Sequence, residues 1–341
     1  MLAYVYESKD ALRLTDRPVP EMPAGGAVMR VEAASICGTD VRAHRFGSDK
    51  IDAGRIIGHE SAGILVSCDA PGFHSGDRVA VAPAIGCGVC RHCLAGRTNM
   101  CDDLHTIGFQ YDGAFAEFLA IPAQAFRMGN VNAIPSGVDA GLYPPAEPLA
   151  CVINAQSFLR IGPDDIVLIF GAGYIGCMHA WLARLAGAAH VIIAETAEGR
   201  IHEVRRLLDG VGVVNPMTED VGAFVQASCG RPATVAVVAC SIGPVQSQAL
   251  ALLDKGGRIS LFGGLSGEST GFIDSNLIHY RELEVYGVHA STPAQNRQAI
   301  AMIREGRVDV SRFLSRYRLA DIETAFADIH AGRVMKCVLE P

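Results

Sequence analysis

The chain lacks any run approaching the roughly 18 uninterrupted apolar residues of a membrane-spanning helix, which excludes a helical membrane protein. It lacks an excess of positive charge: 29 Lys and Arg against 36 Asp and Glu leave a formal net charge of −7. No basic face is evident, so nucleic acid is not an expected partner. Internal repeats, low-complexity tracts and long linkers are also missing, which leaves ordinary globular domains. The opening MLAYVYESKDALR meets acidic and basic residues too early for a secretory signal. Six of the eleven cysteines (Cys68, Cys151, Cys177, Cys229, Cys240 and Cys337) lie scattered and read as buried small residues rather than disulfide partners. A cytoplasmic, reducing location is the expectation. At 341 residues, with 50% hydrophobic and 19% charged residues, the chain is long enough for two domains, each with its own core.

Four of the other five are concentrated. Cys87, Cys90, Cys93 and Cys101 are spaced C-x2-C-x2-C-x7-C within GCGVCRHCLAGRTNMC. Four thiolates this close cannot all pair as disulfides without strain, and four soft ligands converging on a point suit tetrahedral zinc. An iron–sulfur cluster is the rival, since C-x2-C-x2-C opens bacterial ferredoxin motifs. Those continue with three residues and Cys-Pro, whereas here seven intervene and Asp102 follows. A site closed by four cysteines has no open position for substrate, so it is expected to be structural.

The two halves have different grammar. Over the first ~145 residues Pro and Gly punctuate throughout, and Ala27, Met29, Val31 and Ala33 alternate with Arg30 and Glu32 as in a half-buried strand. GDRVAV at 76–81 reads as a turn entering another strand. This half is expected to be an irregular, barrel-like β domain. From residue 166 the pattern becomes α/β: Ile166–Phe170 is a continuous apolar run, and Ile175, Met178, Leu182 and Leu185 recur at helical spacing before Gly187. Further strands are predicted at 191–194, 235–238, 258–262 and 283–287, separated by helix-length segments, which argues for a doubly wound parallel sheet. Thr292, Pro293 and Gln295 predict a capped helix ending near Gly306. A later helix and a strand at 334–339 are expected to rejoin the first domain.

Between the first strand and helix of the second half lies GAGYIG at 171–176. Such a pattern is weak alone, but here it follows a buried strand and opens an amphipathic helix. Gly171 permits the tight turn, Gly173 lets backbone approach a pyrophosphate, and Gly176 lets the helix pack on the sheet. Tyr174 and Ile175 complete the loop. The helix N-terminus offers N–H groups to the phosphates. Glu195, 24 residues after Gly171, is placed to accept from both adenosine ribose hydroxyls and to repel a 2′-phosphate, so NAD is expected over NADP. Arg200 complicates this: it reads as a partner for a 2′-phosphate, an adenine-stacking group or a solvated helix residue.

The first half also contains CGTD at 37–40 and GHE at 58–60, and EPL at 147–149 follows. Cys37 and His59 could share one zinc, although singly each reads as a buried thiol and a core histidine. With GDRV at 76–79, the cysteine loop, GAFAEF at 113–118, AEPLAC at 146–151 and GAGYIG at 171–176, the chain resembles the zinc-containing medium-chain alcohol dehydrogenase family along essentially its full length. Glu147 stands where simple alcohol dehydrogenases have a second cysteine, and this variant resembles the sorbitol (polyol) and threonine dehydrogenase branch.

The resemblance implies a GroES-like catalytic domain over 1–146 and 290–341 and a Rossmann NAD-binding domain over 147–289. It implies two Zn2+ per chain, one structural at Cys87, Cys90, Cys93 and Cys101. The other is catalytic, at Cys37 and His59, with Glu60, Glu147 and water sharing the remaining positions. Zinc would act as a Lewis acid on the substrate hydroxyl while hydride passes to the nicotinamide. Asp40 would fix the His59 tautomer, and Thr39 would carry the alcohol proton outward. In relatives the relay commonly ends on a histidine three residues beyond this position. Here that residue is Arg42, which accepts no proton near neutral pH. His44, or water near Glu60, is then the candidate terminus, and Arg42 reads as an exposed residue or an anion contact. Phe115 and Phe118 read equally as pocket wall or core. His289 falls by analogy near the nicotinamide end, and Lys336 resembles a basic residue that meets cofactor phosphates.

The expected function is NAD-dependent oxidation of a small-molecule secondary alcohol, a polyol or sugar, by a dimer or tetramer. L-threonine or a vicinal diol is the alternative substrate, and a dinucleotide-binding protein without chemistry is the alternative class.

Overall fold

The computed structural model describes residues 1–9, 11–265 and 273–341. The chain divides into two compact units, Met1–Cys151 with Ala290–Pro341, and Val152–His289.

The first unit is organised around strand Ala27–Ser35, which pairs antiparallel with Glu60–Cys68, Phe118–Ile121 and the C-terminal strand Lys336–Glu340. Only Arg30 in Ala27–Ser35 is exposed. The strand is more buried than its alternation predicts, because neighbours cover both its edges and faces. Lys336–Glu340 also pairs parallel with Leu314–Arg318, so the end of the chain completes the N-terminal sheet. The register is consequential: Ser35 pairs with both Glu60 and Val338, which draws residues some three hundred apart in sequence to one place. The core beneath holds Tyr4, Met29, Leu65, Phe115, Leu119 and Phe326. Helix Pro293–Arg304 begins as its sequence predicts: Thr292 Oγ1 accepts from the Gln295 N–H, and Gln295 Oε1 accepts from the Thr292 N–H at 2.8 Å.

The second unit is a six-stranded, wholly parallel sheet. Numbered in chain order within the unit, the strands lie 3-2-1-4-5-6: Gly212–Val214, His190–Ala194, Ile166–Phe170, Ala233–Val238, Leu253–Leu261 and Glu284–Gly287. All five residues of Ile166–Phe170 are buried, as a central strand covered on both faces requires. This is the Rossmann-type order, whose switch point falls at the end of that first strand. Among the described residues no helix is long and apolar enough to cross a membrane.

Candidate metal and dinucleotide sites

The four clustered cysteines converge: one sulfur from each lies within 4.8 Å of the others. None is in a disulfide, nor is any of the other seven cysteines. Cys90 and Cys101 Sγ stand 3.8 Å apart, far beyond the ~2.05 Å of a disulfide. Backbone N–H groups point at the sulfurs, from Cys87 to Cys101 Sγ at 3.1 Å, from Asp103 to Cys101 Sγ at 3.3 Å, and from Cys90 to Cys87 Sγ at 3.3 Å. Donors aimed at sulfur favour thiolate. The Cys93 and Asp102 amides accordingly lower the Cys90 pKa to about 6, while burial pushes Cys93 up to about 12. A bound dication would relieve this tension by taking all four as thiolates. The loop is tight enough that a Cβ on Gly86 would lie 2.8 Å from Cys93 Sγ.

In the second unit the loop at 171–176 makes the tight strand-to-helix turn that its glycines predict. Gly171 sits at φ +104°, a conformation side chains rarely adopt, and a Cβ on Gly176 would collide with the Gly171 carbonyl oxygen. Nothing stands within 4 Å of a Cβ placed on Gly173, which leaves its backbone open to a ligand. Helix Tyr174–Leu185 starts there, with Ile175 in its first turn and Tyr174 buried. Glu195 follows strand His190–Ala194 and reaches back to the loop. Its Oε2 accepts from the Ala172 N–H at 2.7 Å, and Oε1 accepts from the Thr196 and Ala197 N–H groups. Arg200 Nη1 lies 3.9 Å from Glu195 Oε2 and is partly exposed.

The second metal-binding constellation lies wholly in the first unit. Cys37, His59 and Glu60 bring one donor each within 4.8 Å of one another. Cys37 caps helix Gly38–Phe46, and its N–H donates to Asp40 Oδ2 at 2.9 Å. Asp40 Oδ1 faces His59 Nδ1 at 3.3 Å, so Nε2 is the ring nitrogen available to a metal. Burial opposes a charged His59, but Asp40 and then Cys37 outweigh it and hold the imidazole pKa well above its ordinary value. A pocket of thiolate and carboxylates that draws a proton onto its histidine is one that a cation fits. Glu147 and Cys151 lie one turn apart on helix Ala146–Leu159, with Cys151 Sγ donating toward Glu147 Oε1 at 3.6 Å. Burial raises the Glu147 pKa to about 7, His59 pulling down and Glu60 pushing up. Thr39 is half-buried on the helix that Cys37 caps. Phe109 packs its ring 5.6 Å from that of His59.

Several residues stand elsewhere than expected. Lys336 does not present itself to a cofactor: it is 5% exposed, and its Nζ donates to Glu60 Oε1 at 2.8 Å and to the Ile36 carbonyl at 2.9 Å. Burial disfavours its charge, yet Glu60 more than compensates and raises its pKa. Ser35 Oγ donates to the other Glu60 oxygen, which is itself fully buried. His44 is no free relay terminus. It stacks on Phe326 with ring centroids 4.4 Å apart and turns Nε2 to Glu323 at 3.3 Å. Phe115 is core, wholly buried against Gly58, whereas Phe118 is half-buried on its strand. Arg42 is exposed, and so is His289, whose carbonyl accepts from Asn154 Nδ2 at 3.4 Å. The roles of Ser35 and Lys336 carried no local signal. That of Cys151 did, since its i, i+4 spacing from Glu147 on a helix puts both on one face.

Comparison with known proteins agrees with this arrangement. Residues 23–130 match the alcohol dehydrogenase GroES-like domain, and residues 175–305 match the zinc-binding dehydrogenase domain. The L-threonine 3-dehydrogenase of Aliivibrio fischeri (strain ES114) is 30% identical over 342 residues, covering 97% of this chain and 96% of that protein. A zinc-binding dehydrogenase from Sinorhizobium meliloti 1021, solved with NADP, superimposes with a TM-score of 0.90 at 29% identity, over 100% of this chain and 99% of that one. The 2R,3R-butanediol dehydrogenase of Bacillus subtilis shares the fold, with a TM-score of 0.89 at 21% identity, over 100% and 99%.

Proposed function

We propose, for a chain that belongs to the zinc-containing medium-chain alcohol dehydrogenase family, that it oxidises a secondary alcohol bearing a neighbouring amino or hydroxyl group, with NAD as hydride acceptor. The observation that carries this reading is the convergent donor set of half-buried Cys37 and buried His59 and Glu60, with a second carboxylate, Glu147, beside it. The full-length likeness to L-threonine 3-dehydrogenases favours a β-hydroxy amino acid over the polyol or sugar, a choice that GHE and EPL do not make.

A zinc ion held by Cys37 and His59 would supply Lewis acidity at the alcohol oxygen. Asp40 keeps His59 in one tautomer, so that the donor nitrogen is fixed before substrate arrives. Thr39 Oγ1 takes the alcohol proton and passes it to solvent, since Arg42 cannot accept it and His44 is committed to Glu323. Phe109 supplies an apolar wall beside His59 that helps exclude water. The loop at 171–176 would hold the dinucleotide pyrophosphate, and Glu195 beside it would disfavour a 2′-phosphate.

The test is reduced-nicotinamide formation with NAD or NADP across L-threonine, vicinal diols, hexitols and simple secondary alcohols, before and after chelation of the labile metal. Chelator-sensitive turnover with NAD, higher for L-threonine and simple vicinal diols than for hexitols or simple secondary alcohols, is the expected result. Turnover of hexitols alone would restore the polyol reading, and a preference for NADP would overturn the role given to Glu195.

A further inference from the structure

We infer that the cleft between strand Val131–Ala133 and helix Pro293–Arg304 binds a short α,ω-dicarboxylate, held at its two ends by Arg297 and Arg304. The cleft encloses about 300 Å³, the lower end of what small-ligand pockets hold. Both of its walls belong to the first unit. It shares no residue with the cysteine loop, with the Cys37, His59 and Glu60 donor set, or with the glycine loop. The inference therefore stands apart from the dehydrogenase reading.

The helix wall is a single stripe. Arg297, Ile300, Ala301 and Arg304 follow at i, i+3, i+4 and i+7, so they share one face. The spacing sets the two arginines about 10.5 Å apart along the helix axis, with an apolar floor between them. They are the only ionisable residues lining the cleft, in a chain of net charge −7. Arg297 Nη1 donates at 3.2 Å to the Gly129 carbonyl, a neutral acceptor, and among the described residues no acid pairs with it. Arg304 pairs with Glu305, its neighbour in sequence, at 3.6 Å. Both members of that pair are exposed, where such pairs are weak and yield to a better-placed carboxylate.

The facing wall is an edge of the sheet. Among the described residues Val131–Ala133 pairs with Arg78–Val81 alone. The Ala82 N–H donates to the Asn130 carbonyl and the Ile134 N–H to that of Arg78. Alternation then turns the amides of Val131 and Ala133 away from their partner strand. The two walls are tied before any ligand arrives, by Arg297 to Gly129 and by Asn132 Nδ2, 3.5 Å from Asn296 Oδ1. Such preorganisation lowers the cost of binding. Each guanidinium fork matches one carboxylate in bidentate fashion. The floor of Ile300 and Ala301 asks for a hydrocarbon link between the two charges, and a hydroxylated link would lose its water there.

The test titrates succinate, glutarate and adipate into the full-length chain, with acetate and inorganic phosphate as probes that carry one anionic centre. Binding is read by calorimetry and by the unfolding midpoint. At least one dicarboxylate binds roughly tenfold or more tightly than acetate or phosphate, because its second contact is intramolecular. It raises the midpoint with concentration, as linkage requires. Arg297→Gln and Arg304→Gln each weaken it by roughly tenfold or more. Ala301→Glu keeps both arginines but sets an acid between them, and binding is lost. Absence of dicarboxylate binding would overturn the inference. So would phosphate binding as tightly, which marks a plain cationic patch. Binding that survives both arginine substitutions and Ala301→Glu would place the ligand elsewhere on the chain. If an arginine variant does not fold, Ala301→Glu decides alone. No readout depends on turnover, so failure here leaves the dehydrogenase reading intact, and failure of that reading leaves this one intact.

Discussion

His179 makes the second unit acid-sensitive, and the effect can be worked through from its surroundings. The imidazole is fully buried in helix Tyr174–Leu185 and meets the Phe262 ring edge-on at 5.0 Å. The Gln156 amide donates to the His179 carbonyl at 2.8 Å and lies 3.4 Å from Nδ1. Among the described residues no acid favours its charged form, so burial lowers its pKa from 6.5 to about 3. The unfolded imidazole takes up a proton below pH ~6.5, while the folded one resists until about pH 3. Between those values the unfolded chain binds more protons, so stability is complete above pH 6.5 and is lost as pH falls. Each pH unit across the window costs about 1.4 kcal/mol, or roughly 2 kcal/mol between pH 7 and pH 5. Trp181, the only tryptophan, lies two residues along the same helix and reports this unit by fluorescence. Urea unfolding followed at Trp181, at pH 7 and pH 5, is compared between wild type and His179→Gln. The variant starts less stable at pH 7 because an amide fills the space imperfectly, but its loss on acidification is smaller by about 2 kcal/mol. An equal loss in both proteins would refute the reasoning, since the acid sensitivity would then arise elsewhere.

Three further outcomes follow from particular contacts. Gly176→Ala forces a methyl into the Gly171 carbonyl, so the loop must move; unfolding free energy falls by about 1–3 kcal/mol, and NADH binding, read by nicotinamide fluorescence, weakens. Cys93→Ser removes a buried ligand from the cysteine loop. Metal analysis then shows one equivalent fewer per chain and limited proteolysis cuts near 87–101, whereas wild-type metal content in the variant would discard the four-sulfur site. Asp40→Asn removes the charge behind His59, and zinc affinity at the Cys37 site drops roughly 10–100-fold while the cysteine-loop metal stays bound.

Much of this molecule is legible in its sequence because the relevant physics is local. The cysteine spacing specifies a four-sulfur site, since a short loop can close on an ion without help from elsewhere. The apolar run at 166–170 followed by GAGYIG specifies a buried strand, a tight turn and a helix, because each glycine meets a steric demand within a few residues. The capping box at Thr292 is legible for the same reason. Cys37, His59, Glu60 and Glu147 are readable as candidates, but single side chains do not announce their neighbours.

What the tertiary structure alone decided is where charges meet. Lys336 reads as a cofactor contact from its position near the end of the chain. It becomes the buried partner of Glu60 because strand Lys336–Glu340 inserts beside Ala27–Ser35 in one register. His44 reads as a proton acceptor until Phe326 and Glu323, from a helix nearly three hundred residues later, take its ring. Sequence determines local geometry through sterics and hydrogen bonds over a few residues. Pairing between buried charges depends on sheet register, which is set only when the whole first unit packs.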